Sequence, residues 1–468
     1  MTTVQRFRKA SCIVAASSFL WVAGSVRPAS AAVTSVTIDV ARSFKAPGVK
    51  DYRYVEATMS GTVDRPSPAL DGVYSVGLVL IFPTRHARGV GLVDWPNSAF
   101  YSNYGYEPRE DMTVQFSRST TDNYLFQNGY TYASVQWNKE VTDLFGPAAP
   151  DDGELHNPLV FGTIEDGSDA WQILRDAADF LKNPSTFQGT NRPAPVSVVL
   201  SSGFSQSAAI QMEFLSQGEN LRDDGSSVYD GFLINNNGLG CWERNNIPPG
   251  FGNFGACDSF PTGGDAEVMV IASQTDMEFL AGGAARGTSD PNFVLYELPG
   301  VSHLAIPVFD VSSFGATRQN PADPRPFFRG AVRNLTDWVV SGALPPPEIE
   351  MAGTVGPDGN LVSALDADGN ALGGIRLPHM RATLPGGQLA GAPCGAYGGV
   401  EPAGIDPFNV FLLVGGTFEP FSEQERESRY PTRAAFQQLV TRSAEQLFEA
   451  GYILKQDRDA YERQSGCH

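Results

Sequence analysis

Residues 196–207 read VSVVLSSGFSQS, and they carry the strongest local signal in the sequence. A mostly apolar strand is predicted from Pro195 to Leu200, and a helical pattern runs from Gln206 to about Leu215. Between the two stands Gly203-Phe-Ser-Gln-Ser207. A Gly-x-Ser-x-small motif between a strand and a helix is typical of a nucleophile elbow, a tight turn that exposes the serine hydroxyl at the carboxyl edge of a parallel sheet. The segment therefore predicts Ser205 as a nucleophile, with Ser207 in place of the usual glycine.

The same Gly-x-Ser spacing recurs elsewhere, because the sequence contains 49 glycines and many serines. It is found at Gly225, Gly287 and Gly300. Only the motif at Gly203 follows an apolar strand and opens a helix, which is the context that an elbow requires. An ordinary strand-to-helix turn is the alternative interpretation, and we favour the elbow.

Apolar strands alternate with amphipathic helices along most of the chain. Further strands are predicted at residues 34–40, 52–63, 73–82, 89–95, 130–137, 231–234, 267–272 and 293–298. Helices are predicted from Ser168 to the stop at Pro184 and from Phe327 to Val340. The alternation predicts an α/β protein with a mostly parallel central sheet, helices on both faces and an antiparallel N-terminal edge. Together with the elbow, this pattern predicts the α/β-hydrolase fold.

A serine nucleophile needs a base, and in this fold the chain order is nucleophile, acid, histidine. His303 follows the predicted strand 293–298 through a short loop, which places it at the carboxyl edge of the sheet. The other histidines after Ser205 are His379, which lies in the C-terminal tail, and His468, the last residue. Position and order therefore predict His303 as the general base.

The acid is expected after the strand that precedes the histidine strand. Asp276 is the first carboxylate after the predicted strand 267–272, and it would hold the imidazole in the correct tautomer. Glu278 is the rival, because a small difference in the loop would present either side chain. Asp290 is less favoured, since it stands next to a proline before the last strand. We predict Asp276.

Acyl transfer also requires donors for the oxyanion. We expect one of them to be the backbone N–H of Gln206. The second should come from the loop after the predicted strand 89–95, where Pro96 has no N–H and leaves Trp95 or Asn97. We predict Trp95. Its indole and the aromatic residues that follow could line a substrate pocket, although aromatic side chains more often belong to the core.

The first 31 residues have the organisation of a signal peptide. A basic region at residues 6–9 precedes a short apolar region at 12–26, and Ala29-Ser-Ala31 offers the small residues of a cleavage site. We expect the mature chain to begin at about Ala32 and to be secreted or periplasmic. The apolar region is too short and too rich in serine to span a bilayer, and no later stretch is long enough. No membrane span is predicted.

The mature chain divides at the stiff segment Pro345-Pro-Pro347. Residues 32–344 are predicted to form the hydrolase core. Residues 345–468 are predicted to be a Gly-rich, loop-like extension packed on that core, with a helix at 433–450. The extension has too little apolar periodicity to form a core of its own.

Four cysteines remain after Cys12 is lost with the signal peptide. An even number in an oxidising compartment predicts two disulfides. Proximity in the sequence favours the pairs Cys241–Cys257 and Cys394–Cys467, which is one of the three possible connectivities.

Charge and motifs argue against several partners. The net charge of −19 makes a surface that repels phosphate backbones, so nucleic acid is not an expected partner. No Cys-x-x-Cys or His–Cys cluster suggests a metal site. Residues 366–370 begin like a calcium loop, but Ala371 and Leu377 stand where an EF-hand needs glycine and glutamate, so a turn is predicted. We predict no metal and no cofactor.

The sequence resembles a bacterial family called the "alpha/beta hydrolase domain" proteins. The resemblance extends over most of the mature chain and is carried by motifs at 203–207, 273–276, 298–303, 368–378, 418–421 and 429–430. The family often has Ser-Glu-Thr-Asp where this chain has Gln274, which leaves Asp276 the natural acid. The resemblance implies the α/β-hydrolase fold and a Ser-Asp-His triad, and it implies no particular substrate.

The prediction for function is an exported serine hydrolase. The most favoured activity is hydrolysis of a small-molecule or polymeric carboxylic ester through an acyl-enzyme. A peptidase or amidase that uses the same triad is an alternative. The non-enzymatic alternative is an exported binding protein that retains the fold without turnover.

Overall fold

A computed structural model of the protein defines its strands and helices. It describes residues 33–62, 73–95, 123–137, 168–235, 240–242, 254–256, 264–305, 319–399, 414–464 and 466–467; at 168–170, 206, 240–242 and 254–256 only the backbone is described. The predicted signal segment, Cys257, His156, His468 and the candidate oxyanion donor Asn97 lie outside these residues.

A ten-stranded sheet forms the centre of the molecule, with the strand order β12-β11-β8-β7-β4-β5-β3-β2-β1-β6. Its strands are β1 (Val33–Phe44), β2 (Tyr52–Thr62), β3 (Val73–Pro83), β4 (Val90–Trp95), β5 (Thr131–Val135), β6 (Phe187–Gln188), β7 (Val198–Phe204), β8 (Gly231–Asn235), β11 (Glu267–Ser273) and β12 (Phe293–Leu298). The short pair β9 (Gly240–Trp242) and β10 (Phe254–Ala256) forms a separate hairpin. These bounds agree with the strands predicted from apolar runs to within a few residues.

The sheet has a parallel half and an antiparallel half. Strands β5, β4, β7, β8, β11 and β12 run parallel to one another. Strands β1, β2, β3 and β5 pair antiparallel, which confirms the predicted antiparallel N-terminal edge. The carboxyl ends of the parallel strands meet along one edge, so residues that follow these strands come close together.

Helices cover both faces of the sheet. The α-helices of the described residues are α1 (Tyr124–Gln127), α2 (Ser168–Lys182), α3 (Gln206–Ser216), α4 (Gln274–Phe279), α5 (Arg325–Ser341), α6 (Glu423–Arg429), α7 (Arg433–Glu449) and α8 (Lys455–Tyr461). Helices α2 and α3 contribute side chains to the core on one face. Helices α5 and α7 contribute to the core on the other face. The parallel strands are therefore buried on both sides, which is why their sequences read as continuous apolar runs.

Helix α5 shows how the sequence produces this arrangement. Phe327, Ala331, Leu335 and Trp338 recur at helical spacing and are all buried against the sheet. The helix ends at Gly342, whose φ of 70° lies in the left-handed region that glycine adopts without strain. Truncation of a fully buried leucine such as Leu335 to alanine typically costs about 2–5 kcal/mol.

The C-terminal region has more regular structure than the sequence predicted. It forms the hairpins β13–β14 (Gly353–Val355, Leu361–Ser363), β15–β16 (Ala382–Thr383, Leu389–Ala390) and β17–β18 (Gly395–Gly398, Thr417–Pro420) before helices α6 to α8. The expectation of a loop-like segment before the last helix was wrong, because strands of two to four residues are too short to show an alternating pattern.

Contacts bring this region onto the last strand and the last core helix. The hydroxyl of Tyr296 on β12 donates to the carbonyl of Pro346, and Arg329 on α5 pairs with Asp457. Cys394 and Cys467 form a disulfide, as proximity predicted, whereas the side chains of the other proposed pair lie outside the described part of the chain. No helix among the described residues is both long and apolar enough to cross a bilayer.

Candidate active site

The predicted elbow is a sharp turn between β7 and α3. The strand extends four residues beyond the predicted end and runs to Phe204, and the helix begins at Gln206. Ser205 stands between them with φ 55° and ψ −113°, a conformation that a residue with a side chain rarely adopts. A Cβ at Gly203 would lie 2.8 Å from the carbonyl carbon of Ser207, so this position requires glycine. The turn aims the Ser205 side chain outward at the carboxyl edge of the sheet.

Ser207 has a role in the elbow that the sequence did not reveal. Its hydroxyl accepts the N–H of Phe204 at 2.9 Å and donates to the carbonyl of the same residue at 3.0 Å. Both polar groups of the last strand residue are thus satisfied by the side chain that replaces the usual glycine. The backbone N–H of Ser205 donates to the carbonyl of Asn235 at the end of β8, at 3.1 Å.

His303 lies directly beside the nucleophile candidate. Its Nε2 is 2.8 Å from Ser205 Oγ, and its Nδ1 is 2.6 Å from Asp276 Oδ1. Because a carboxylate oxygen only accepts, Nδ1 carries the proton and Nε2 is left to accept the serine hydroxyl. The ring is 5% exposed and its centroid is 5.3 Å from that of Phe204. This geometry allows the imidazole to take a proton from Ser205.

Asp276 is placed by the first turn of α4. Its Oδ2 accepts the N–H of Ser273 at 2.6 Å, and its own N–H donates to Ser273 Oγ at 3.3 Å, which is the reciprocal arrangement of a capping box. The other carboxylate oxygen faces His303. The side chain is fully buried, so the helix start fixes the carboxylate.

The rival carboxylates have other partners. Glu278 accepts hydrogen bonds from Gln274 at 2.8 Å and from Ser363 at 2.6 Å, and burial raises the pKa of its carboxyl above the usual value. Asp290 accepts the N–H of Asn292 in the turn before β12. Among these three carboxylates, Asp276 is the one that the structure brings to the imidazole.

His379 lies in the C-terminal region and supports the loop that carries His303. Its Nε2–H donates to the carbonyl of Gly300 at 3.0 Å, and its ring lies 4.8 Å from the ring of Tyr397. Burial lowers the pKa of His379 to about 4, so the ring is neutral at physiological pH. The sequence could not place this contact, because it joins two segments far apart in the chain.

The backbone and the side chain of Trp95 lie in different surroundings. The residue ends β4 and registers with Gly203 of the elbow, so its backbone lies on the strand next to the nucleophile. The indole is 1% exposed and packs edge-on against Phe214 and Tyr229. The side chain therefore belongs to the core and does not line a pocket. The Gln206 backbone lies at the start of α3, next to Ser205.

Polar side chains stand next to one another on three neighbouring strands close to the elbow. Asp94 on β4 registers with Ser134 on β5 and Ser202 on β7. The hydroxyl of Tyr132 donates to Asp94 Oδ2 at 2.7 Å. Burial raises the pKa of Asp94 to about 7, and the Tyr132 hydrogen bond opposes that rise. The carboxyl is thus protonated in the native protein below neutral pH.

We expect Asp94→Asn to stabilise the protein at alkaline pH. In the unfolded chain the Asp94 carboxyl loses its proton near pH 3.8, whereas in the native protein the carboxyl keeps this proton up to about pH 7. Stability is therefore lost as the pH rises between these values. Asparagine is neutral throughout and still accepts from Tyr132. The free energy of unfolding of the variant should exceed that of the unmodified protein by an amount that grows from pH 4 to 7, reaches roughly 4 kcal/mol and then stays constant. Urea unfolding at each pH measures this difference.

Asp224→Asn serves as the control, because Asp224 is exposed and hydrogen bonds from Ser226 lower its pKa. This variant should show no stabilisation at alkaline pH. A difference between Asp94→Asn and the unmodified protein that is constant from pH 4 to 9 would contradict the assignment of a raised pKa to Asp94.

The described residues contain no group of three His, Cys, Asp or Glu side chains arranged to hold a metal ion. Residues 366–370 form the predicted turn, in which the N–H groups of Asp368 and Asn370 both donate to the Asp366 carboxylate. The carboxylate of Asp368 makes a two-point ion pair with Arg429. These contacts account for the acidic residues of this turn.

Comparison with known families gives one extended match. The model of a family described as "Alpha/beta hydrolase domain" matches residues 106–463. The match covers 358 of 468 residues (463 − 106 + 1), and it includes Ser205, Asp276 and His303. No protein of curated function matches the sequence.

Solved structures with a similar fold include several esterases. The rice cell wall degrading esterase LipA from Xanthomonas oryzae is 14% identical, with a TM-score of 0.26 over 44% of this chain and 49% of its own, so the match spans about half of that protein. Acetyl xylan esterase 1 from a Thermoanaerobacterium species is 12% identical, with a TM-score of 0.30 over 56% and 79% of the two chains. A glucuronoyl esterase from Solibacter usitatus is 10% identical, with a TM-score of 0.29 over 51% and 67%. At these identities and TM-scores the matches bear on neither the substrate nor the activity of this chain.

Proposed function

Because the chain belongs to the alpha/beta hydrolase domain family, we propose that it is an exported serine hydrolase that cleaves carboxylic esters. The observation that carries this proposal is the unbroken line of contacts Ser205 Oγ–His303 Nε2–His303 Nδ1–Asp276 Oδ1, at 2.8 and 2.6 Å. A nucleophile, a base and an orienting acid within hydrogen-bonding distance form the arrangement that serine acyl transfer requires.

The reaction proceeds in two steps. In the first, His303 Nε2 takes the proton of Ser205 as Oγ bonds to the ester carbonyl carbon, and the carbonyl oxygen becomes an oxyanion. The oxyanion collapses, the bond to the alcohol oxygen breaks, and the alcohol leaves with the proton from His303. In the second step, water gives its proton to His303 and attacks the acyl-enzyme. The acid is released and the proton returns to Ser205.

Two features of the elbow favour this chemistry. The strained backbone of Ser205 exposes Oγ at the sheet edge, where a substrate can approach. The N-terminus of α3 begins at the next residue, and its dipole stabilises negative charge that develops there. We propose the backbone N–H groups of Gln206 and Trp95 as the oxyanion donors. Asp276 holds the ring of His303 in place and stabilises the imidazolium that forms.

Covalent labelling combined with ester hydrolysis tests this function. We expect a fluorophosphonate probe to attach to the peptide that contains Ser205, and we expect p-nitrophenyl esters to be hydrolysed. Comparison of an ester with the amide of the same acyl group separates an esterase from an amidase. A folded protein that is not labelled and cleaves no ester or amide would instead indicate a binding protein without turnover.

The proposal of export rests on the N-terminal pattern and on the C-terminal disulfide. A Cys394–Cys467 bond is typical of proteins that fold outside the reducing cytoplasm. We expect the protein recovered from the periplasm or the medium to begin at about Ala32, as read from its intact mass. Non-reducing peptide mapping of the same sample should find Cys241 joined to Cys257. Recovery of the uncleaved chain from the cytoplasm alone would contradict export.

A further inference from the structure

Three consecutive residues at the start of α4 all bind the loop that carries His303. Gln274 donates its N–H to Val301 at 2.9 Å and accepts the N–H of Gly300 on its side-chain oxygen at 2.8 Å. Thr275 Oγ1 accepts the backbone N–H of His303 at 3.0 Å. Asp276 accepts from the imidazole of the same histidine. The backbone and the ring of His303 are thus bonded to adjacent residues of one helical turn.

Thr275 differs from its two neighbours because its hydroxyl also reaches the C-terminal region. It donates to the carbonyl of Gly399, just after β17. Since Oγ1 has a single proton and uses it on Gly399, its lone pair is free to accept from His303, and both bonds are made at once. The threonine is fully buried, so water cannot replace either partner.

We propose that Thr275 is a positioning residue for the reaction of Ser205. It holds the backbone of His303 at the distance from which Nε2 meets Ser205 Oγ while Nδ1 meets Asp276. This inference rests on the proposed hydrolase function. Asp276 fixes only the ring nitrogen, and Gln274 holds the loop at Gly300 and Val301, whereas Thr275 bonds the backbone N–H of His303 itself. A misplacement of about 1 Å in a reacting group can cost about 100-fold in rate.

The packing of Gly399 supports this role. A Cβ at Gly399 would lie 2.8 Å from the side chain of Gln274 and 2.9 Å from its carbonyl carbon. Only glycine therefore allows the chain to approach α4 closely enough for its carbonyl to meet Thr275. Asn320 joins the same two segments, since its Nδ2 donates to Gly300 at 3.2 Å and to Gly398 at 3.3 Å. The C-terminal region thus supports the loop of His303 through Thr275.

Removal of the hydroxyl without a change of shape tests the proposal. We expect Thr275→Val to lower kcat about 100-fold per titrated active site, with KM unchanged, because a misplaced base affects only the transition state. Thr275→Ser keeps the hydroxyl and should restore most of the rate. If the valine variant does not fold, Thr275→Ala removes the same hydroxyl without adding a methyl group. Counting the active sites with the fluorophosphonate probe separates a slower enzyme from a smaller folded fraction.

Thr336→Val is the matched control. Thr336 on α5 is also fully buried, and its hydroxyl likewise makes two hydrogen bonds, to Val332 at 2.7 Å and to Tyr130 at 2.8 Å. This variant should lose stability with no change in kcat. If Thr275→Val kept the normal kcat per site, or if Thr275→Ser were as slow as Thr275→Val, the positioning role would be overturned.

A second readout does not depend on turnover. The proton between His303 Nδ1 and Asp276 should give a low-field NMR resonance that is shifted or lost in Thr275→Val and kept in Thr275→Ser and Thr336→Val. An unchanged resonance in Thr275→Val overturns the proposal. If the unmodified protein hydrolyses no ester and binds no probe, the hydrolase function fails, and the resonance still decides whether Thr275 holds His303.

Discussion

Replacement of Ser205 by alanine is expected to abolish ester hydrolysis, with a loss of about 10⁶-fold in kcat. His303 Nε2 is bonded to the Ser205 hydroxyl at 2.8 Å, whereas Ser207, the other hydroxyl of the elbow, is buried and bonded to the backbone of Phe204. The variant should also lose fluorophosphonate labelling altogether. A residual rate above that of water can persist, since the oxyanion donors still polarise a bound ester. The measurements are the steady-state rate on a p-nitrophenyl ester and the labelled mass.

The control for this variant lies on α3, the helix that follows Ser205. Ser216 ends α3, is exposed, and donates only to the carbonyl of Glu213 at 2.8 Å. Ser216→Ala should keep full activity and full labelling. If Ser205→Ala retained labelling at another residue together with undiminished turnover, the nucleophile would lie elsewhere and the proposed mechanism would be wrong.

The strands of the parallel half explain why the site could be predicted at all. Ser205, Asp276 and His303 each follow a strand that is buried on both faces, and such strands stand out in the sequence as apolar runs. Because the carboxyl ends of parallel strands lie along one edge, the ends of the runs locate the three residues relative to one another. The order of strands therefore brings the three residues to one edge, whereas the elbow and the start of α4 orient their side chains locally.

The starting residue of helix α4 decides whether Asp276 or Glu278 faces His303. Helix α4 begins at Gln274, so Asp276 occupies the third position, from which its side chain turns back to the strand end and its N–H meets Ser273. Successive residues of a helix are separated by about 100°, which turns Glu278 roughly 200° away from Asp276. The sequence alone could not show where the helix begins to within one residue, and this starting point decides which carboxylate faces His303.

The contacts of the C-terminal region could not be predicted for a different reason. Thr275 and Gly399 are separated by 124 positions, and Gly300 and His379 by 79. No periodic pattern marks the segments near 379 and 399, because their strands have only two to four residues. Contacts of this kind depend on how the whole tail packs, and a search for motifs in single segments does not find them. The orientation of the Trp95 indole could not be predicted for the same reason, because packing against Phe214 and Tyr229 places it in the core.

Substitution of Asp276 by asparagine should lower kcat by about 10⁴-fold while leaving the fold intact. The asparagine oxygen can still accept the N–H of Ser273, so the start of α4 is preserved. Its amide donates a proton to His303 Nδ1, however, and this favours the tautomer in which Nε2 carries the hydrogen. Such an imidazole cannot accept the proton of Ser205, and it has no carboxylate to stabilise its charged form. The rate on a p-nitrophenyl ester measures the loss of catalysis, and the midpoint of thermal unfolding measures any loss of stability.

Glu278→Gln provides the matched control, two residues away on the same helix. Glutamine keeps the size of the side chain, and its oxygen can still accept from Ser363. We expect full activity in this variant, since Glu278 faces away from the imidazole and bonds Gln274 and Ser363. The reverse outcome, with Glu278→Gln inactive and Asp276→Asn active, would transfer the acid role to Glu278. It would also mean that helix α4 changes its register during catalysis, because Glu278 lies roughly 200° around this helix from Asp276, which occupies the position beside His303.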